Sequence, residues 1–275
     1  MLFDLEIFLI LLLYCVTMNS LIFALRVKDG NARTGMLDLP HGTVHTPELM
    51  PVATRATVRG LTLEDLSSMD SQLLICNTYH LMLRPSADII EQLGGLHAFM
   101  SWHKPLVTDS GGFQALSLGQ KMMDGAGKIY PSQKDIVSVQ QKKNSFVSSI
   151  TEKGILFQSP YDGSSHLLTP ESSISIQKKL GADMILVLDE CTSSNHDKKY
   201  TQKSVERTHR WAVRCLSEYH SQKSQQALIG IVQGGTWKDL REDSARYISS
   251  LPFHGFAIGG SLGKKEDLPS ILDWV

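Results

Sequence analysis

An α/β protein with a parallel sheet is the fold class that this 275-residue sequence predicts. Three observations predict it. Five apolar runs each end on a polar or glycine residue: Leu73–Cys76 into Asn77, Leu106–Thr108 into Asp109, Met184–Leu188 into Asp189, Leu228–Val232 into Gln233, and Phe256–Ile258 into Gly259-Gly260. Helix-length stretches separate these short β-rich runs, as in successive βα units. The length suits a single barrel of about 250 residues, and strands that close into a barrel bring their carboxyl ends onto one face. Two carboxylates, two amides and a double glycine would converge there, which makes that face the candidate site.

The elements follow in order along the chain. Phe23–Val27 and Thr43–Pro51 read as a hairpin region, joined by the turn-rich Asp29-Gly30-Asn31 and Leu39-Pro40-His41-Gly42. The last part of that region, Thr46–Pro51, counts as the first parallel strand. Leu61–Met69 is a short helix, with Thr62 and Asp65 spaced as a capping box. Strand Leu73–Cys76 is followed by a helix over Ser86–Leu93 that Gly94-Gly95 stops. After strand Leu106–Thr108, the Lys-, Gln- and Ser-rich stretch 119–154 has weak periodicity and reads as an insertion. Ile155–Ser159 and Ser165–Thr169 form a hairpin around the turn signal Asp162-Gly163. Pro170 opens a helix that Gly181 closes, and strand Met184–Leu188 follows. Lys203–Tyr219 is an amphipathic helix; strand Leu228–Val232, a helix over Lys238–Ser249, strand Phe256–Ile258 and a helix from Lys265 complete the chain. That makes six of the eight strands of a closed barrel.

Composition narrows the function. A 42% hydrophobic share, 20% charge and a net charge of −1 describe an ordinary globular chain without a global basic field. This excludes a sequence-independent nucleic-acid binder and leaves local basic patches open. The four cysteines form no C-x-x-C pair and read as buried reduced thiols of a cytoplasmic protein. The ten histidines make no H-E-x-x-H or similar cluster, so no metal ligands are expected. Ile7–Val16 is too short to span a membrane and lacks a basic flank or an A-x-A site. Residues 1–17 therefore read as an upstream extension, with Met18 opening the functional protein.

Each candidate motif carries two readings. Asp109-Ser110-Gly111-Gly112-Phe113-Gln114 directly follows a strand. Its glycines let backbone amides approach a ligand, Phe113 could stack on a base, and Asp109 could do acid or base work. It also fits a tight βα turn with a capping aspartate. Asp189 could accept two parallel N–H bonds, as a guanine edge offers, or cap the next segment. Gln233-Gly234-Gly235 and Gly259-Gly260 are ordinary turn residues when taken alone, and Asn77-Thr78-Tyr79-His80 could cap a helix as easily as bind a ribose.

Together the motifs say more. Asn77-Thr78-Tyr79-His80-Leu81, Thr108-Asp109-Ser110-Gly111-Gly112-Phe113-Gln114, Asp162-Gly163-Ser164, Asp189-Glu190-Cys191-Thr192, Val232-Gln233-Gly234 and Ala257-Ile258-Gly259-Gly260 come in one order and at matching spacing. From about Val27 to Val275 the chain closely resembles tRNA-guanine transglycosylase. The resemblance implies a (β/α)8 TIM-type barrel and exchange of guanine 34 in G-U-N anticodons of tRNA for a 7-deazaguanine, in a homodimer or heterodimer. It gives Asp109 the general acid/base role and has Ser110, Gly111, Gly112 and Phe113 line the base pocket. It assigns Asp189 to the pyrimidine half of the base, and Gln233 and the Gly260 amide to its carbonyl oxygen. Gly263 falls where queuine-using members have glycine, which favours queuine over the smaller pre-queuosine base.

One departure is larger. The family's nucleophilic aspartate, a basic tRNA-contacting stretch and a C-x-C-x-x-C…His zinc site all lie beyond Val275. Residues 18–275 therefore read as a truncated transglycosylase barrel with open sheet edges, expected to show no exchange by itself and to bind no cofactor. An inactive fragment or non-catalytic partner subunit is the alternative. A barrel glycosidase with two carboxylates is a third reading, but Gln233 and the glycine motifs fit a purine better than a sugar.

Overall fold

The computed structural model describes residues 20–119, 147–193 and 196–275. The extension expected at 1–17 and most of the insertion expected at 119–154 lie outside them. Strands β1 (Ile22–Asp29), β2 (Ala32–Leu39) and β3 (Gly42–Thr46) form an antiparallel sheet. The hairpin region is therefore present, but β2 lacks the clean alternation that would reveal it in sequence. The first parallel strand is β4 (Val52–Ala53), not Thr46–Pro51. Pro47 and Pro51 carry no N–H and could not sustain a ladder there.

From β4 the chain alternates. Helix α1 (Leu63–Ser68) precedes β5 (Leu74–Cys76); α2 (Thr78–Leu83), α3 (Ala87–Gln92) and α4 (Gly95–Met100) lead to β6 (Leu106–Thr108). After α5 (Gly112–Gly119) comes a second antiparallel sheet of β7 (Val147–Ile150), β8 (Ile155–Gln158) and β9 (Ser165–Leu168). Helix α6 (Pro170–Leu180), β10 (Met184–Leu186), α7 (Lys198–Ser221), β11 (Ala227–Val232), α8 (Lys238–Ser249) and β12 (Gly255–Ile258) follow, then a 3-10 turn over Lys265–Asp267 and α9 (Leu268–Asp273). Strands β4, β5, β6, β10, β11 and β12 form one parallel sheet whose neighbours follow chain order.

Local signals explain most helix ends. Thr62 Oγ1 accepts from the Asp65 N–H at 3.1 Å while Asp65 accepts from the Thr62 N–H at 2.8 Å, the reciprocal capping box. Thr169 and Pro170 start α6, and Gly181 ends it in the left-handed region. Helix α7 begins five residues before the expected Lys203 because Asp197 accepts from the Tyr200 N–H at 2.7 Å. Gly94 stops α3, but its left-handed backbone (φ +93°) also turns the chain straight into α4.

The inner strands β5, β6, β10 and β11 are buried on both faces, so they read as continuous apolar runs. Leu73, Ile75, Val107, Met184 and Ile229 meet Leu39, Val44 and Leu37 of the first antiparallel sheet. On the opposite face, Leu74, Cys76 and Leu106 pack under α1–α4, and Ile185, Val187 and Leu228 pack against Ile174, Trp211 and Cys215 of α6 and α7. The alternation along β5 and β6 is the two-residue period of a strand.

Two buried polar side chains hold the middle of this sheet. Strands β6 and β10 pair at only two positions, Met184 with Val107 and Ile185 with Thr108. Beyond them Gln177 of α6 takes over the ladder. Its Oε1 accepts from the Leu186 N–H at 2.9 Å and the Thr108 hydroxyl at 3.0 Å, and its Nε2 donates to Leu186 O at 2.8 Å. At the amino ends of the strands, Asp183 accepts from the Leu106 N–H at 2.8 Å and the His41 N–H at 3.0 Å. The His41 ring lies 2.8 Å and the His97 ring 3.2 Å from the same carboxylate. One aspartate thus ties the β2–β3 turn, α4 and β6 to β10.

Burial pushes the Asp183 carboxyl up, but the contacts from His97, Leu106 and His41 outweigh it and hold it below its ordinary value of 3.8. A carboxyl lowered on folding stabilises the protein above the unfolded value and loses that contribution as pH falls through the folded one. Asp183→Asn should therefore cost roughly 1–3 kcal/mol at pH 7, because its amide donor would face the N–H of Leu106 or of His41, whichever way it turns. Urea titration of both proteins between pH 2 and 7 should show the parent losing part of this advantage below about pH 4. Equal stability at pH 7 would show that the four-way contact does not hold the fold.

Candidate active site

The loop after β6 and the start of α2 build the first half of the site. Asp109 Oδ1 accepts from the Thr78 N–H at 2.9 Å and the Gly111 N–H at 3.2 Å. Its Oδ2 accepts from Gln114 Nε2 at 2.8 Å and from Asn77 Nδ2. The Thr78 hydroxyl donates to the Asp109 carbonyl at 2.6 Å, locking the two strand ends together. Asn77 makes no helix-capping bond, so its side chain serves Asp109. Burial pushes the Asp109 carboxyl above its ordinary value, while the four donors, led by Asn77, pull it down without cancelling the rise. The result is a carboxyl poised to take and return a proton.

The second half comes from β10, β11 and β12. Asp189 is buried, and Gln233 donates its amide hydrogen to Asp189 Oδ2. Ser110 links the halves, with its hydroxyl 3.4 Å from Asp189 Oδ1 and its Oγ accepting from the Gly112 N–H. Gly112 and Gly260 allow close approach. A Cβ at Gly112 would sit 2.9 Å from Asp189 O, and one at Gly260 (φ +78°) would sit 2.3 Å from Gln233 Oε1. That Oε1 is buried and has no hydrogen-bond partner among the described residues. Asp109, Ser110, Gly111, Gly112, Asp189, Gln233 and Gly260 are thus brought together, and Phe113, half-buried, follows Gly112 in the first turn of α5.

Two residues behind the site escape a sequence reading. Glu190 is buried. It pairs with Arg207 and accepts from the Tyr200 hydroxyl at 2.8 Å; Thr208 and Ser204 of α7 bind its backbone N–H and carbonyl at 3.0 and 2.8 Å. Burial, helped by Glu190, pushes the Tyr200 phenol up to about 12. Arg241 is buried in α8 on one stripe with Ser244 and Ile248, a three-then-four spacing that could have marked it.

Histidines and an aspartate do gather, contrary to the sequence expectation: His41, His97 and Asp183 present ligand-type atoms within 4.8 Å of one another. Residues far apart in sequence meet through the fold, so no spacing motif announces them. The two rings are stacked, with centroids 3.5 Å apart and planes at 16°. Imidazole binds a metal in its ring plane, so an ion shared by stacked rings would sit well out of both. The trio is a hydrogen-bonded clamp. Gly263 also has a local reason to be glycine. Its φ is +66°, and a Cβ there would meet Asp267 Oδ2 at 2.4 Å and Thr236 Cγ2 at 2.8 Å, whatever base is bound.

Asn77→Ala removes one donor from Asp109, so the Asp109 carboxyl should titrate higher still. In NMR of carboxyl-labelled aspartate, Asp109 of the parent should titrate above 3.8 and that of the variant higher again. An unchanged midpoint would remove Asn77 from the pair.

A family model described as Queuine tRNA-ribosyltransferase matches residues 29–275. The queuine tRNA-ribosyltransferase of Herpetosiphon aurantiacus is 44% identical over 258 residues, covering 93% of this chain and 59% of that protein. The enzyme of the same name from Ruminiclostridium cellulolyticum is 43% identical over 249 residues, 90% of this chain and 60% of that one. That of Acetivibrio thermocellus is 43% identical over 244 residues, 88% and 58%. The chain thus spans about three-fifths of the length of the curated relatives it matches. Its strand-end carboxylates and glycines sit on the framework that this match covers, and the chain belongs to the queuine tRNA-ribosyltransferase family.

Proposed function

We propose that this chain carries the base-binding and proton-transfer half of a tRNA-guanine transglycosylase, which exchanges guanine 34 of G-U-N anticodons for a 7-deazaguanine. The observation that carries the reading is the pairing of Asp189 with Gln233 beside Gly260, with Gln233 Oε1 left buried and unpartnered. A buried acceptor without a donor costs about 1–3 kcal/mol and favours an arrangement that a ligand relieves. A guanine edge relieves it by displacement. Its N–H groups would replace the Gln233 hydrogen on Asp189, freeing the Gln233 amide to turn, so that its Nε2 donates to the base carbonyl beside the Gly260 N–H and its Oε1 leaves the orphaned position.

The six-stranded sheet is then most of a (β/α)8 barrel wall, with the site at its carboxyl end. The target guanine has to leave the stack to enter, and Phe113 is placed to stack on it. A carboxylate attacks the ribose C1′ and displaces guanine; the resemblance puts that aspartate and the zinc ligands beyond Val275. Asp109 gives a proton to the leaving base and takes one from the incoming base, which its raised carboxyl suits. The four cysteines lack the C-x-C-x-x-C donor spacing, so residues 1–275 do not supply the family's zinc site. The cytoplasm, a tRNA partner and a dimeric working form belong to the same reading. Among the described residues no helix is long and apolar enough to cross a membrane.

Asp189→Asn puts a donor against the guanine N–H edge. In a protein extended with the relatives' carboxyl-terminal portion, exchange of labelled guanine into tRNA should fall at least about 100-fold with an unchanged melting temperature. Exchange within a few-fold of the parent would overturn the assignment.

A further inference from the structure

Arg241 is among the largest side chains with no exposed surface, and it makes no ion pair among the described residues. Its guanidinium is spent on backbone carbonyls: Nε donates to Gly235 O at 2.8 Å, Nη1 to Val232 O at 3.1 Å and Nη2 to Ser261 O at 3.1 Å. These carbonyls belong to the ends of β11 and β12, the loops that carry Gln233 and Gly260. Nη2 lies 3.6 Å from the position a Gly260 Cβ would take, and Gln233 Oε1 lies 2.3 Å from that same point. A buried charge is expensive and is normally paired with an opposite one. Here backbone carbonyl dipoles stand in place of a carboxylate, so a net positive charge is held beside the loops that carry Gln233 and Gly260.

We propose that Arg241 is a positioning residue of the base pocket: its buried cation makes the Gln233–Gly260 end electropositive, opposite the carboxylate of Asp189. The pocket becomes a dipole whose negative end faces ring N–H donors and whose positive end faces a carbonyl. That polarity suits the Watson–Crick edge of guanine and opposes adenine, which presents an amino donor where guanine has its carbonyl. It also assists the reaction proposed above, on which this inference rests. A guanine that leaves before its proton arrives carries negative charge, shared with the carbonyl oxygen at that end.

Burial pushes the Arg241 guanidinium down to about 10, still well above neutrality, so the charge is kept at working pH.

The test is calorimetric binding of guanine and adenine to the 1–275 chain and to Arg241→Lys and Arg241→Gln, with thermal melts alongside. Lysine keeps the charge with fewer backbone bonds, whereas glutamine is neutral yet still donates. The parent should bind guanine and reject adenine. R241K should bind guanine within about threefold of the parent, and R241Q at least tenfold more weakly with a melting temperature equal to that of R241K. Equal losses in R241K and R241Q would reduce Arg241 to a backbone brace, and R241Q binding within threefold of the parent would refute the dipole. A parent that melts cooperatively but binds no guanine would instead refute the base-pocket reading, and this inference with it. Should R241Q fail to melt cooperatively, guanine-over-adenine discrimination by R241K decides alone: retained discrimination supports the charge, lost discrimination overturns it.

Discussion

The site depends on a gap between two strands, and Gln177 is what makes that gap stable. Parallel strands that separate leave unpaired N–H and carbonyl groups, each costing about 1–3 kcal/mol when buried. Where β6 and β10 stop pairing, one fully buried amide donates to Leu186 O and accepts from Leu186 N–H and Thr108 Oγ1. Its own helix is capped by Thr169 and packs on α7, so the amide is supplied from a rigid support. The strands therefore stop pairing with their hydrogen bonds satisfied, and the two loops that follow them carry Asp109 and Asp189.

The two carboxylates receive opposite treatment from their surroundings. Asp109 is gripped by four N–H donors from three segments, fixed in orientation yet raised by burial, which suits proton transfer. Asp189 has the Gln233 amide and the Ser110 hydroxyl beside it, two side chains rather than a ring of backbone donors. Behind them, Glu190 anchors the strand end to α7 through Arg207 and Tyr200. At the far end of the strands Asp183 gathers two histidines and two backbone N–H groups.

Much of this was legible from residues. Runs such as Leu106–Thr108 and Leu228–Val232 are apolar because both faces of the sheet are covered, and each was read as a strand. Thr62 with Asp65, and Pro170 with Gly181, marked helix ends because capping is a local interaction. What stayed hidden was either short or distant. Helix α2 is six residues long, too short to show a period, and β2 is interrupted by Gly35 with polar Arg33 and Thr34 beside it. Asn77 and Gln114 reveal themselves as holders of Asp109 only once β5 and β6 pair, and Asp183 meets His41 across 142 positions. Arg241 looks like any charged residue of an amphipathic helix until its face is known to be buried.

The loops after β6 and β10 approach each other at Gly112, where a side-chain carbon would sit 2.9 Å from Asp189 O and 3.0 Å from Leu188 Cδ1. Backbone and a packed leucine leave little room to yield. The clearance of the slot is thus gauged by an atom that is missing, and one methyl group there would act as a shim. It would wedge the loops apart and draw the Ser110 hydroxyl, already at 3.4 Å, out of reach of Asp189. Mechanical tolerance between these two loops is set at a residue with no functional group at all.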